Sequence, residues 1–253
     1  MTADPRPRLR LFVAADLRAD TAVTLPREQA HYLGAVMRAA PGEAVLLFNG
    51  RDGEWLARIE TLAKAGATLN VERRTRDQAP EPDLWLLAAP IKKERIDLVA
   101  EKAAELGAAA LWPVFTRRTV ASRVNAERLT AHLVEAAEQC ERLTMPALRP
   151  PSPLDKALAD WPAGRILLFL DEGGEGRPLA EVLAAIPPAA PLAILTGPEG
   201  GFSPEERRML AAQPFTRPVG LGPRILRAET AAIAALAVVQ ALWGDGAKGV
   251  RAG

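Results

Sequence analysis

The chain has 253 residues and a formal net charge of +1; 49% of its residues are hydrophobic and 25% are charged. These values are typical of a globular protein with enough core for one large or two modest domains. The single cysteine, Cys140, excludes an intrachain disulfide and fits a reducing cytoplasm. Two histidines and one cysteine leave too few ligands for a typical zinc site, so we expect no metal.

Other classes of function are excluded by missing motifs. The three serines, Ser122, Ser152 and Ser203, do not lie in a G-x-S-x-G sequence, and no G-x-x-x-x-G-K-[ST] is present. The longest apolar run of the last predicted helix, residues 231–239, is far shorter than the roughly 20 residues of a membrane span. The arginines and prolines before residue 11 also differ from a signal peptide. We therefore expect a cytoplasmic protein with no membrane partner.

The first part of the chain, residues 8–76, predicts a small β-rich, barrel-like domain. Apolar runs bounded by turn residues predict strands at 9–13, 44–48, 54–62 and 67–73, with a hairpin loop at 49–53 and a helix at 26–38. Basic residues outnumber acidic ones in this part, which is a weak indication of nucleic-acid binding. A solvated, arginine-rich surface explains the charge alone more simply.

A proline-rich stretch at residues 79–82 ends the β pattern and predicts a linker. Beyond it, strands predicted at 84–89, 109–115, 165–170, 192–196 and 217–221 alternate with helices predicted at 92–106, 126–142, 179–186, 204–213 and 229–243. This alternation indicates an α/β domain with a mainly parallel sheet. We therefore predict one domain at 1–76, a linker at 77–82 and a second domain at 83–253.

Two turns of the second domain are candidate ligand-binding loops. They are residues 195–201 and 221–226, and each leads from a predicted strand into a predicted helix. Glycine lets backbone N–H groups approach a ligand closely, and ligands of parallel sheets bind beyond the carboxyl ends of the strands. We therefore expect one binding site built from both loops; the alternative is that these are simple turn glycines.

The same two segments carry a resemblance to a known family. The sequences GPEGGFSPEE at 197–206 and LGPRILRAETA at 221–231 resemble the S-adenosylmethionine site of the RsmE-type ribosomal RNA methyltransferases, which belong to the SPOUT superfamily. Further blocks resemble that family in the same order, at 31–38 with 41–43, 92–107, 113–118 and 135–140. The resemblance thus spans nearly the whole chain.

The resemblance implies a fold, a reaction and partners. The implied α/β fold has a SPOUT-type parallel-sheet domain with a trefoil knot, preceded by a small PUA-like β-barrel domain that binds RNA. The implied enzyme is a homodimer that uses S-adenosylmethionine, without a metal, to methylate N3 of one uridine in 16S ribosomal RNA of the small subunit. Three alternatives stay open: another target atom or RNA, a ribosome-assembly protein that binds RNA without catalysis, and a Rossmann-type enzyme. The missing G-x-G-x-x-G counts against the last of these.

The resemblance also implies site residues. Those assigned to the cofactor lie in the two turns and the following helix: Leu195, Thr196, Gly197, Pro198, Glu199, Gly200, Gly201, Leu221, Gly222, Ile225, Leu226 and Thr230. Uridine N3 must lose its proton, and an arginine would stabilise the resulting anion; Arg227 is the first candidate and Arg224 the second. Glu199 or Glu229 could accept the proton or hold these arginines. The residues assigned to RNA are all basic: Arg8, Arg10, Arg38, Arg117 and Arg118.

Overall fold

The computed structural model describes residues 7–171, 173, 176–187 and 190–246. The chain divides into two compact units, Met1–Pro80 with Ala137–Met145, and Glu81–Ala136 with Pro146–Gly253. Residues 137–145 therefore belong to the first unit, a feature that the division predicted from the sequence did not include. Within the described ranges, no helix has the length and apolar character needed to cross a membrane.

The first unit is built on a five-stranded mixed sheet. Its elements are β1 (Arg10–Phe12), β2 (Thr21–Leu25), α1 (Arg27–His31), a π-helical turn (Tyr32–Val36), β3 (Ala44–Phe48), β4 (Glu54–Ala63) and β5 (Gly66–Arg76). The strand order is β1-β3-β4-β5-β2; β1 is parallel to β3, and the other pairs are antiparallel. The four predicted strands are confirmed. β2 was not predicted, because only two of its five residues, Val23 and Leu25, are buried and the alternation is short.

A buried ion pair ties residues 137–145 to this sheet. Nε of Arg10 lies 2.8 Å from Oε2 of Glu54, and the two side chains are only 6% and 1% exposed. The same guanidinium donates to the carbonyl of Ala137 at 2.8 Å and to the carbonyl of Arg142, and it lies 3.7 Å from the centre of the Phe48 ring. The prediction that Arg10 contacts RNA is therefore wrong: the guanidinium is enclosed and fully hydrogen-bonded inside the first unit.

Two carboxylates of the first unit are held in their charged form. Burial acts most strongly on the pKa of Glu54 and raises it, but the hydrogen bond and charge of Arg10, with the charge of Arg76, bring that pKa below its ordinary value. The pKa of Asp52 is lowered chiefly because the backbone N–H of Leu17 donates to it at 2.9 Å. Both carboxylates therefore stabilise the folded state while they are ionised.

The second unit is built on a parallel sheet. Its strands are β6 (Leu84–Ala88), β7 (Ala110–Phe115), β8 (Ala147–Leu148), β9 (Ser152–Pro153), β10 (Ile166–Leu170), β11 (Arg177–Pro178), β12 (Leu192–Thr196) and β13 (Thr216–Gly220). Its helices are α2 (Lys93–Glu105), α3 (Ala126–Gln139), whose last residues belong to the first unit, α4 (Leu154–Ala159), α5 (Leu179–Ala184), α6 (Pro204–Ala211) and α7 (Ala228–Leu242).

The strand order of this sheet is β11-β13-β10-β12-β6-β7-β8, with β9 also paired to β7, and every pair is parallel. The prediction of an α/β parallel sheet is thus confirmed. The two-residue strands β8, β9 and β11 and the short helix α4 were not predicted, because they are too short to show a period. The strands β10 and β12 at the centre are almost wholly buried, which explains their continuous apolar sequences.

We expect Arg10→Ala to lower the free energy of unfolding of the first unit by about 3–5 kcal/mol, because it leaves the buried carboxylate of Glu54 without its main partner. Urea unfolding measures this loss, and amide exchange in residues 137–145 should accelerate with it. Arg8→Ala removes the same charge from an exposed position and is the matched control. A loss for Arg10→Ala no larger than for the control would contradict the structural role.

We also expect the protein to lose stability in acid through Glu54 and Asp52. Their ordinary pKa values are 4.5 and 3.8, and both are lower in the folded state. The stabilisation is therefore fully present above those ordinary values and is lost as the pH falls through the folded-state values. Urea midpoints measured from neutral pH down to about pH 3 should fall below about pH 4.5, and the fall should be smaller in Asp52→Asn. A midpoint that stays constant over this range would refute the expectation.

Candidate active site

Two loops of the second unit leave the same edge of its sheet. The first glycine loop, residues 197–201, follows β12, and the second glycine loop, residues 221–226, follows β13. Both strands pair in parallel with β10, one on each side. Because neighbouring strands are about 4.8 Å apart, the two loops begin only about 10 Å from each other. The topology thus brings together the two segments that the sequence analysis joined into one site.

A cavity of about 410 Å³ opens beside the second glycine loop. Five residues predicted for the site line it: Leu221, Gly222, Arg224, Ile225 and Leu226. The opposite wall comes from the end of β10 and the segment after it, through Leu170, Asp171, Gly176 and Pro178. The cavity is therefore mainly apolar, with the carboxylate of Asp171, the guanidinium of Arg224 and backbone groups of the second glycine loop in its lining.

Close backbone packing shapes this cavity. Gly222 has φ +97°, in the left-handed region where a side chain would be strained. A Cβ placed on Gly176 would come within 2.5 Å of the carbonyl carbon of Val219, so only glycine lets this segment lie against β13. Pro223 restricts the loop further, which lowers the entropy lost when it orders around a bound molecule.

Asp171 is a site residue that the sequence analysis did not assign. It directly follows β10, is 7% exposed, and its Oδ1 lies 2.7 Å from Nη2 of Arg207 on α6. Gly173 donates its backbone N–H to the same oxygen at 3.1 Å. The sequence offered one signal, an acidic residue that is followed by glycines at the end of a predicted strand. Only the strand order shows that this strand, β10, lies between the two strands that carry the glycine loops.

The first glycine loop does not line this cavity in the part of the chain that the structure describes. Leu195 and Thr196 lie within β12 and are buried, whereas Thr230 is exposed on α7. Pro198 and Gly201 are buried, and the carbonyl of Gly200 accepts a hydrogen bond from Arg118 at 2.7 Å. Contact of this loop with a cofactor therefore remains a proposal, and it would involve backbone groups more than side chains.

Arg95 connects the first glycine loop to the start of α7 and was not predicted as a site residue. Its Nη1 lies 3.8 Å from Oε1 of Glu199 in the first loop, and its Nε lies 3.5 Å from Oε1 of Glu229, just after the second loop. The side chain of Glu229 is 12% exposed, and its Oε2 is buried without a hydrogen bond to any described residue. One cation from α2 thus holds a carboxylate of the first glycine loop and a carboxylate in the first turn of α7.

The arginine candidates differ in their freedom. Arg227 is exposed at the N-cap position of α7, its side chain caps nothing, and it forms no ion pair or hydrogen bond with the described residues. Arg224 is also exposed and lines the cavity. Both guanidinium groups are therefore available to a substrate, although only that of Arg224 belongs to the lining of the cavity.

Of the remaining residues predicted to contact RNA, two lie in each unit. In the first unit, Arg8 is exposed, and Arg38 is exposed with a left-handed backbone (φ +56°) after the exposed side chains of Tyr32, Val36 and Met37. Apolar and aromatic side chains beside a cation suit RNA, whose unstacked bases pack on such surfaces.

In the second unit, Arg117 and Arg118 are exposed in the segment after β7. Arg117 forms an ion pair with Glu205 at 3.5 Å, and Arg118 contacts the first glycine loop as described above. Among the described residues, no group of three or more His, Cys, Asp or Glu side chains could hold a metal ion.

Comparisons with known proteins agree on one family. A model described as an RNA methyltransferase domain matches residues 78–240, and one described as an RNA methyltransferase PUA domain matches residues 25–72. A ribosomal RNA small subunit methyltransferase E from Rickettsia conorii is 32% identical over 234 residues, which cover 92% of this chain and 95% of that protein. Its counterpart from Synechocystis is 34% identical over 236 residues, which cover 92% of this chain and 77% of that protein.

A solved structure extends the agreement to the fold. The crystal structure of a ribosomal RNA small subunit methyltransferase E from Neisseria gonorrhoeae, bound to S-adenosyl methionine, is similar to this chain with a TM-score of 0.84 and 29% identity. The similarity covers 94% of this chain and 98% of that one. The predicted order of a PUA-like domain followed by a parallel-sheet RNA methyltransferase domain is thereby confirmed, while the SPOUT-type assignment and the knot stay predictions. The chain belongs to the ribosomal RNA small subunit methyltransferase E family of RNA methyltransferases.

Proposed function

We propose that this protein transfers a methyl group from S-adenosylmethionine to N3 of one uridine in 16S ribosomal RNA of the small subunit. The observation that carries the proposal is the pair of glycine loops, which leave one sheet edge beside a cavity of about 410 Å³. The relative from Neisseria gonorrhoeae was solved with S-adenosyl methionine bound, and the family name gives the RNA class.

The residues around the cavity fit S-adenosylmethionine. Its volume lies in the range of about 300–1,000 Å³ that is usual for small-molecule sites. Leu221, Ile225 and Leu226 offer an apolar wall for the adenine ring, and the glycine-containing backbone offers N–H and C=O groups for polar atoms. Ile225 is 91% exposed, which is costly for so large an apolar side chain unless something covers it.

S-adenosylmethionine, when bound, supplies an electrophilic methyl group on a sulfonium. The chain must supply a deprotonated N3, because the N3 of uridine carries a proton and its nucleophilic form is anionic. Arg227 can stabilise that anion, since no described residue engages its guanidinium. A carboxylate must take the N3 proton before N3 accepts the methyl group, because only the deprotonated nitrogen is the nucleophile; the cofactor would then leave as its demethylated thioether.

We assign that proton to Glu199 rather than to Glu229. The side chain of Glu199 is 38% exposed and held at 3.8 Å by Arg95, so a substrate can reach it. Glu229 is 12% exposed, and its carboxylate lies 3.5 Å from Arg95, whose side chain it positions. Glu199 thus contacts the substrate in this account, whereas Glu229 acts through Arg95.

We further propose that the enzyme works in the cytoplasm as a homodimer and that the PUA-like unit contacts RNA through Arg8 and Arg38. The exposed apolar side chain of Leu242 on α7, at 60%, supports contact with a second copy. Sedimentation equilibrium tests the homodimer: the wild-type protein should be a dimer, and the Leu242→Asp variant should contain more monomer.

The proposed reaction is tested with labelled S-adenosylmethionine and small subunits from a strain that lacks this gene. Mass spectrometry of the RNA should detect 3-methyluridine. A methyl group on another atom or another RNA would favour the alternative target. No transfer, combined with no calorimetric binding of S-adenosylmethionine, would favour the non-catalytic assembly protein.

Arg227→Ala should lower kcat by about 100-fold or more while leaving the Kd for S-adenosylmethionine nearly unchanged, because the lost interaction stabilises charge that develops in the transition state. Single-turnover methylation and calorimetry measure the two quantities. Arg217→Ala removes an equally exposed arginine from β13 and is the matched control. Equal rates in the two variants would remove Arg227 from the mechanism.

A further inference from the structure

A second cavity of the second unit, about 820 Å³ in volume, has several cationic side chains in an otherwise mainly apolar lining. We call it the basic pocket. Its charged lining residues are Lys92, Lys93, Arg95, Arg123, Arg128 and Glu199. Five positive charges against one negative charge favour an anion, and of these six residues the site described above uses only Arg95 and Glu199.

Some of these cations are neutralised within the fold and others are not. Arg128 lies 2.8 Å from Oδ1 of Asp97, and Arg95 is held by the two carboxylates described above. By contrast, Lys92, Lys93 and Arg123 are exposed and form no ion pair with any residue in the described ranges. Three uncompensated charges therefore face the pocket or its rim.

The start of α2 adds backbone donors to the same pocket. Lys92 occupies the N-cap position, and a lysine side chain has no acceptor with which to cap the helix. The backbone N–H groups of Arg95 and Ile96 donate to the carbonyl of Lys92. The backbone N–H groups of Lys93 and Glu94 therefore have no acceptor within the helix. Because α2 has 13 residues, its N-terminal end also carries a partial positive charge.

The basic pocket lies next to the first glycine loop. The strand that carries this loop, β12, lies between β10 and β6. The end of β10 borders the 410 Å³ cavity, and the residues after β6 line the basic pocket. Glu199 of the loop lines the basic pocket directly. Residues 120–125 also line the pocket. The chain just before them is held in place, because Arg118 donates to the carbonyl of Gly200 and the N–H of Arg117 donates to Glu206 at 2.7 Å.

We propose that the basic pocket binds a phosphate-bearing nucleotide of the substrate RNA, at or next to the uridine that is methylated. This inference rests on the proposed function. The volume suits one nucleotide, the free cations and helix amides suit its phosphate, and Val120, which is 93% exposed on the same wall, offers an apolar surface to a base. Glu199 is then close enough to the base to receive the N3 proton.

The test compares three variants that each remove one positive charge: Lys93→Gln and Arg123→Gln in the pocket, and Lys156→Gln on an exposed position of α4 as the matched control. The probe is protein-free 16S ribosomal RNA, and its Kd is measured at several salt concentrations. Each pocket variant should raise Kd by about 5- to 10-fold and reduce the slope of log K against log salt by about 0.7, the value for one lost contact with a single strand. The Kd for S-adenosylmethionine should not change.

Two outcomes would overturn the inference. One is a Kd and salt slope for both pocket variants equal to those of Lys156→Gln. The other is unchanged RNA binding with an altered sedimentation coefficient, which would assign the pocket to contact between copies of the chain. Failure of the proposed function would give a different result: the wild-type protein would transfer no methyl group to RNA, regardless of how the pocket variants bind RNA.

Discussion

The parallel pairing of β12 and β13 with the two sides of β10 is the constraint on which the site depends. It places the loops after β12 and β13, and Asp171 after β10, at one sheet edge, although they come from three separate parts of the chain. Hydrophobic burial enforces it, because the central strands are almost wholly enclosed and a shift in register would expose apolar side chains. The geometry of the site is therefore a consequence of the core.

Charged side chains have two different roles in this fold. Where carboxylates and arginines are enclosed, as in Arg10 with Glu54 or Asp171 with Arg207, they hold segments together. At the two cavities the arrangement is different, since Arg224, Lys92, Lys93 and Arg123 have no acidic partner among the described residues. An excess of unpaired positive charge near a groove attracts an anionic polymer and speeds its association, which is the property that a ribosomal RNA substrate requires.

The sequence predicted the long elements and the two loops well, because these depend on local patterns. β3 and β12 have the bounds expected from their apolar runs, and both glycine loops follow their strands as predicted. The errors concern partners that are distant in the chain. Arg10 pairs with Glu54 and with the carbonyls of residues 137 and 142, and no local pattern distinguishes such an arginine from one that contacts RNA. Arg95 and Asp171 were missed for the same reason, since their roles follow from strand order.

Amide hydrogen exchange with and without saturating S-adenosylmethionine shows whether the two glycine loops form one cofactor site. We expect exchange to slow together in residues 197–201 and 221–226, because both loops close on the same molecule. Protection confined to one loop, with S-adenosylmethionine demonstrably bound, would mean that the other loop is a structural turn and that the two loops do not form one site.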